Sequence, residues 1–476
     1  MRKLQVTSYK LKILTALIFS LLFKICSAQS SRDTGKYSFS LQQAVDFAMK
    51  NQTQMLNASF DEQIAQAKVK ETIGIGFPQI NGSFDIKYFI DIPTTVLPNF
   101  VSPAVYGGLV QAGVAPYDPL KMSPDGYPPL EAKFGTKYQA AAGVDLSQIV
   151  FSSDYLVGLQ ATKTFLELTR KATQRTRIEI SVAVSKAYYT VLVNHERMNL
   201  IDANIVRIKK LMDDTKALNE NGFVEKIDVD RITVAHNNLL VEKEKIQRLL
   251  DLTTSLLKFQ MGMDQFATLA LTDKLADIKL SSEITADKID YSKRVEYSLM
   301  QTQKNILQLQ LKRNKMGYLP TMILYGNASA SALRNEFDIF DTKKSWYPTV
   351  LVGARIGVPI FDGLQKNYRI QQSKIDLLKA ENNLKMVQQS IDFELASSKT
   401  ILQNASASLE IQKKNIELAE EIYKTSKLKY EQGVGSNLEV MNAETSLKEA
   451  QTNYFSALFD ALVAKVDYDK ANGNIK

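Results

Sequence analysis

Apolar side chains recur along this chain with two different periods. Met198, Ile201, Ile205, Ile208 and Met212 are spaced 3-4-3-4, the seam of a coiled coil. Leu402, Ala405, Leu409, Gln412, Ile416, Ala419 and Tyr423 keep the same rhythm, interrupted at Gln412. Elsewhere the period is two. Ile80, Phe84, Ile86, Tyr88 and Ile90 share one face of a stretch whose other face carries Asn81, Ser83, Asp85 and Lys87. Tyr138, Ala140, Ala142, Val144 and Leu146 oppose Gln139, Asp145 and Ser147, and Val350, Val352, Ala354, Ile356 and Val358 oppose Thr349 and Arg355. The stretch from Met322 to Ala332 alternates less cleanly, because Ile323 and Tyr325 fall on its polar face. These patterns predict strands over 80–90, 137–148, 321–332 and 348–359.

Proline placement fixes the helices. Of 12 prolines, Pro78, Pro320, Pro348 and Pro359 stand at strand edges, and the remaining eight lie between Pro93 and Pro129. Proline in a helix interior costs about 3 kcal/mol or more, so the long proline-free runs can stay helical. Helices are predicted over 40–75, 155–220, 286–316 and 364–431. The 66 residues of 155–220 would extend about 100 Å at about 1.5 Å per residue. That length favours coiled-coil packing over an ordinary globular bundle.

The two halves echo each other. Gly222, Val229 and Gly262 correspond to Gly433, Val440 and Gly473 at a constant spacing of 211. Phe77-Pro78-Gln79 matches Leu319-Pro320-Thr321, and Val150-Phe151-Ser152-Ser153 matches Ile360-Phe361-Asp362-Gly363. Each half runs helix, strand, loop, strand, very long helix, turn, long helix, which predicts repeats over 29–275 and 276–476. The first half carries the longer loop, 91–136, whose prolines suit a rigid lid or docking surface.

Charge and cysteine content change the picture through the N-terminus. Arg2, Lys3, Lys10 and Lys12 precede an apolar run over 13–23, and Cys26-Ser27-Ala28 offers small residues for cleavage, so 1–28 is expected to be a secretory signal cut after Ala28. Acylation of Cys26 is the weaker alternative, since Lys24-Ile25 supplies no small residue before the cysteine. Removing 1–28 takes five basic and no acidic residues, so the net charge of +8 falls to +3 and the nucleic-acid reading loses its support. The single cysteine leaves with it. The rest contains no run of 18 apolar residues, so any membrane insertion must use strands.

Alternating strands of about ten residues suit a membrane barrel, although a soluble sheet with one buried face alternates in the same way. Tyr88, Phe89, Tyr138, Tyr318, Trp346, Tyr347 and Phe361 lie near strand ends, where interfacial aromatics collect. Four strands cannot close a barrel, and an eight-stranded barrel is filled by its own side chains, so a conduit calls for at least three pooled copies. Enzymatic chemistry finds no support: His195 and His236 lie apart, and no metal spacing, phosphate loop or nucleophile motif occurs. No cofactor or metal is expected.

With these residues in hand the chain resembles the TolC-like outer-membrane efflux protein family over nearly all of its mature length. The resemblance rests on Val358-Pro359-Ile360-Phe361-Asp362-Gly363 as a strand-to-helix junction, on Phe77-Pro78-Gln79-Ile80 and Gly317-Tyr318-Leu319-Pro320-Thr321 as strand entries, and on Tyr430-Glu431-Gln432-Gly433 through Leu438-Glu439-Val440-Met441-Asn442-Ala443-Glu444 as a helix turn. It implies a mainly α protomer with a small β part, internally duplicated. Three copies would share a twelve-stranded outer-membrane barrel, continued by a periplasmic tunnel of long antiparallel coiled-coil helices. It further implies a passive duct for efflux or type I secretion, opened by a periplasmic adaptor and an inner-membrane efflux pump or ABC exporter. A soluble periplasmic coiled-coil adaptor or scaffold is the competing reading, and a periplasmic hydrolase a distant third.

By that resemblance the turns at Gly222-Phe223 and Gly433-Val434-Gly435 are the tips that an adaptor engages, although positive φ in a tight turn accounts for the glycines alone. The positions matching Glu439 and Asn442 narrow the closed periplasmic gate with acidic side chains. Here one acid is an amide. Asp228, with Arg231 one turn later, matches a position that ties neighbouring helices shut. The plain alternative for Glu439 and Asp228 is a carboxylate stabilised by the N-terminus of its own helix.

Overall fold

The computed structural model describes residues 35–275 and 290–475. The expected signal segment, Cys26 and residues 286–289 lie outside the described residues. The chain divides into two units: one comprises Ala65–Leu166 with Lys304–Lys379, and the other the rest. Among the described residues no helix is long and apolar enough to cross a membrane.

The first unit is built on an antiparallel sheet. Its strands β2 (Gln79–Tyr88), β5 (Tyr138–Phe151), β7 (Thr321–Arg334) and β8 (Tyr347–Gly357) lie in the order β2-β5-β7-β8. Register aligns the apolar set. Ile80 faces Leu146, Leu146 faces Gly326, and Gly326 faces Val352. Val144, Ala328 and Val350 form the next row. The opposite face carries Asn81, Asp145 and Asn327 in one row, and the Asn327 Nδ2 donates to Asp145 Oδ1 at 2.8 Å. Side chains of the apolar face remain exposed, Val352 at 85%. A soluble sheet would bury such a face. Tyr325, which blurs the alternation, lies across Gly353, where an added Cβ would come within 2.6 Å of the ring, and the Arg355 guanidinium sits 5.7 Å from the ring centroid. The ring is thus accommodated on the polar face by a glycine and a cation.

Strand ends differ from the sequence pattern for local reasons. β8 stops at Gly357 rather than 359 because its partner begins at Thr321, directly after Pro320, leaving Val358 nothing to pair with. β2 stops at Tyr88 rather than 90, and β5 and β7 run further, to Phe151 and Arg334. The segment 91–136 is more than a loop. It holds β3 (Thr94–Leu97) paired antiparallel with β4 (Leu130–Lys133), a helix α3 (Val101–Gln111) and a 3-10 turn at Pro124–Gly126. Pro103 is compatible with α3 because it lies in the first turn, whose N–H groups have no intrahelical acceptor.

The second unit holds most of the helices. α1 (Leu41–Asn51) and α2 (Thr53–Ile75) replace the single helix expected over 40–75. Ser40 caps α1 in a reciprocal arrangement with Gln43. The break falls at Gln52, whose backbone is extended and whose buried side chain accepts from the N–H groups of Gln54 and Met55. α4 (Ser153–Glu220) and α7 (Gln365–Glu431) are the two very long helices, followed by α5 (Lys226–Met261) and α8 (Asn437–Ala471). The helix predicted to start at 286 is α6 (Val295–Met316). Residues before it form a 3-10 turn in which Asp290 Oδ1 accepts from Ser292 N at 3.0 Å.

The seam residues Met198, Ile201 and Ile208 are buried against Ile232, Leu239 and Ile246 of α5, with Ala419 and Tyr423 of α7 in the same core. α8 carries the longest heptad series: Val440, Ala443, Leu447, Ala450, Ala457, Ala461, Ala464, Tyr468 and Ala471 are all buried. A parallel pair, β1 (Lys36–Phe39) with β6 (Thr268–Leu271), was not legible in the sequence. It is held by Asp273, whose Oδ2 accepts from Leu41 N at 2.7 Å and from the Tyr188 hydroxyl at 3.0 Å.

α5 ends at Gly262, which has φ of 68°, and a Cβ there would lie 2.7 Å from Asn51 O and Gln52 Cα. Gly222 has φ of 78° but open space around it. Gly262→Ala is therefore expected to cost the left-handed penalty plus a backbone clash, about 3 kcal/mol together, and Gly222→Ala only about 1 kcal/mol. Heat-dissociation midpoints of the two variants check this; equal midpoints would refute the close approach.

Candidate functional site

Two turns of the second unit share one geometry. α4 ends with Gly222 N donating to Asn219 O at 2.9 Å and Phe223 N to Leu218 O at 2.9 Å. α7 ends with Gly433 N donating to Tyr430 O at 3.0 Å and Val434 N to Lys429 O at 3.0 Å. Each is a Schellman cap: a left-handed glycine, φ of 78° and 73°, lets its own amide and the next one return to the last helical carbonyls. The Asn219 side chain closes the first turn further by donating to Val224 O at 2.7 Å. Gly435 is packed so closely on Lys429 that a Cβ would lie 2.9 Å from the lysine Cβ. Each cap projects an apolar side chain, Phe223 at 77% and Val434 at 80% exposure. A groove of about 710 Å³ lies between the turns, lined by Leu211, Asp214, Leu218, Phe223, Tyr430 and Gly433.

The acidic and amide positions sit in the helix starts that follow. Asp228 pairs with Arg231, Oδ1 to Nη1 at 3.6 Å. Its carbonyl accepts from Asn437 Nδ2 at 3.1 Å, which links the first turn of α5 to that of α8. Ser436 caps α8 by accepting from Glu439 N at 3.2 Å. Glu439 and Asn442 are both exposed, one helical turn apart on the same face. Among the described residues no hydrogen bond or ion pair joins Glu439 to Asp228 or Arg231, so one protomer brings the second pair together and leaves Glu439 and Asn442 on a free face.

Deeper between the same helices lies a polar cluster that the sequence pattern passed over. Arg207 of α4 donates through Nη2 to Asn204 Oδ1 at 2.7 Å and to Glu444 Oε1 of α8 at 3.2 Å. Asn204 donates onward to Gln451 Oε1 at 2.9 Å. The guanidinium lies 4.8 Å from the centroid of the Tyr423 ring of α7. Glu444 Oε2, Arg207 Nε and the Tyr423 hydroxyl are buried without hydrogen-bond partners. Burial pushes the Glu444 carboxyl above the usual carboxylate range against the pull of Arg207 and Lys448, and it pushes the Tyr423 hydroxyl up to about 12. The available signal was positional: Glu444 directly follows the buried seam residue Ala443, and Arg207 precedes Ile208.

Comparison with known proteins agrees with this architecture. The profile of the outer membrane efflux protein family matches residues 298–474. A probable efflux pump outer membrane protein, TtgC of Pseudomonas putida, is 24% identical over 367 residues, covering 75% of this chain and 72% of that protein. The outer membrane protein TolC of Vibrio cholerae is 18% identical over 342 residues, 70% of this chain and 77% of that protein. Among solved structures, CusC superposes with a TM-score of 0.70 at 13% identity, covering 93% of this chain and 95% of that one. At that identity the structural likeness speaks for the fold alone.

Proposed function

This chain belongs to the TolC-like outer-membrane efflux protein family, and from that premise we infer that it is the outer-membrane channel of a tripartite export system. The observation that carries this reading is the open four-stranded sheet. One face is apolar and exposed from Ile80 and Val144 to Val352 and Ile356, and β2 and β8 are edge strands with no further partner among the described residues. Both features are unfavourable in water for a single soluble protomer. They are resolved together if three protomers join edges into one barrel whose apolar face meets lipid. The long helices of the second unit would form the periplasmic conduit.

The family consists of channels rather than enzymes, so transport here is passive. An inner-membrane pump or ABC exporter would supply energy, and a periplasmic adaptor would engage the tips at Gly222-Phe223 and Gly433-Val434-Gly435. The exposed Phe223 and Val434 side chains suit such an apolar contact. Glu439, Asn442, Asp228 and Arg231 are the proposed periplasmic gate. The efflux relatives favour this reading over a soluble adaptor, which would leave the exposed apolar sheet face unexplained.

Protein extracted from the outer-membrane fraction is expected to run as a three-chain assembly by native mass and to give discrete channels in planar bilayers. A monomer released by carbonate into the soluble fraction would overturn the reading.

A further inference from the structure

The strands of the first unit give way to helices at one end of the sheet, where β7 starts at Thr321 and β8 ends at Gly357. A cavity of about 610 Å³ opens at that junction, a size suited to a small ligand. Arg313, Lys366 and Arg369 line it, and among the described residues Asp154 is the only lining carboxylate. Arg313 Nε donates to Asp154 Oδ1 at 3.0 Å, and Lys366 Nζ lies 3.7 Å from Asp362 Oδ2. Arg369 reaches only the neutral Gln365 Oε1, at 3.5 Å. Counting Asp362, three cations face two carboxylates. Ser153, the first residue of α4, and Lys366, the second of α7, also border the cavity, so both helix N-termini add positive potential.

Beside this cationic hollow the chain exposes Val358, Ile360 at 95% and Phe361 at 81%. Exposed apolar side chains at the end of a lipid-facing sheet belong to the hydrocarbon boundary, and cations just beyond it lie at headgroup depth. A basic last turn on α6 has an ordinary explanation in the helix dipole, but Lys366 and Arg369 stand in the first turns of α7, where the dipole disfavours them. Asp362 offsets Lys366, which leaves Arg369 without an acidic partner among the described residues.

We propose that this junction cavity binds the phosphate of an anionic glycerophospholipid, with Arg369, Lys366 and Arg313 at the headgroup and Ile360 and Phe361 against the acyl chains. The site would seat the barrel at a fixed depth. This inference rests on the outer-membrane reading above.

The test uses the full chain in nanodiscs of phosphatidylcholine containing a minority of phosphatidylglycerol, released intact for native mass measurement. The wild type is expected to retain phosphatidylglycerol in preference to phosphatidylcholine. Arg369→Gln should lower that preference about fivefold, and the triple change with Arg313→Gln and Lys366→Gln by more than tenfold. Lys209→Gln with Lys210→Gln, on an exposed part of α4, should leave it unchanged. Equal retention by Arg369→Gln and by the triple variant overturns the proposal, as does displacement of the lipid by inorganic phosphate, which would mark a free-anion site. Three-chain mass and channel conductance are read on the same samples. If they persist while the preference is absent, the lipid site falls and the channel stands; if the wild type forms no trimer, both fall.

Discussion

Replacing Arg207 with alanine is expected to speed amide exchange across 200–215 and 437–451 by about a hundredfold at neutral pH. The reason is the asymmetry of buried ion pairs. Glu444 is buried, one of its oxygens already lacks a partner, and its carboxylate depends on Arg207. Removing the cation leaves an uncompensated charge, at a cost of about 3 kcal/mol or more. Removing both charges should be far milder, so Arg207→Met combined with Glu444→Leu is expected to exchange within a few-fold of wild type. Hydrogen exchange suits the question because it reports local opening rather than dissociation of the whole assembly. An Arg207→Ala variant that exchanges like wild type would remove the cluster from any account of how the helices are held.

The same cluster predicts a pH dependence with a definite sign. The Glu444 carboxyl is raised in the folded chain by burial. A group of this kind favours the folded state most fully below its unfolded value, and that contribution is lost as pH rises through its folded value. The helices around Glu444 should therefore open more readily at neutral pH than in mild acid. Arg207, Lys448, Glu242 and Tyr423 surround the group, and Lys448 is itself paired with Glu242. Glu444→Gln should flatten this part of the profile while leaving the rest of the chain unchanged.

Why the sequence revealed the strands and long helices but not this cluster follows from what periodicity can carry. Strand faces were legible because Ile80, Leu146 and Val352 each belong to a series repeating every second residue, and register sets the three in one row with Gly326. Long helices were legible because proline is absent from them. The turn glycines repeat at one spacing because each must adopt positive φ. Arg207 and Glu444, by contrast, have the composition of a solvated helix face; only the packing of α4 on α7 and α8 buries them. The β1–β6 pair was hidden because it joins two four-residue strands from distant parts of the chain. Gln52 breaks its helix through one side-chain hydrogen-bonding pattern, with no proline or glycine to announce it. The hairpin and helix in 91–136 were obscured by prolines that occupy permitted positions.

Glu439→Ala is expected to weaken block of the channel by divalent cations more than tenfold. Ser436 caps α8 and fixes the first turn, which holds Glu439 on an exposed face with Asn442 one turn beyond. In the proposed trimer three such carboxylates would surround one axis. Their potentials would add at the proposed gate, and the effect should fade as salt approaches molar concentration, where the screening length falls to about 3 Å. The ordinary role of an acid in a first helical turn is worth only about 0.3–1 kcal/mol to its own helix and predicts no change in block. Two further substitutions separate the readings. Glu439→Gln keeps the size of the side chain but removes the charge, so it should behave like alanine in block. Asn442→Asp would add a second acidic ring and should strengthen block beyond wild type. Unchanged block across all three variants would leave Glu439 a helix-start residue and move the gate elsewhere.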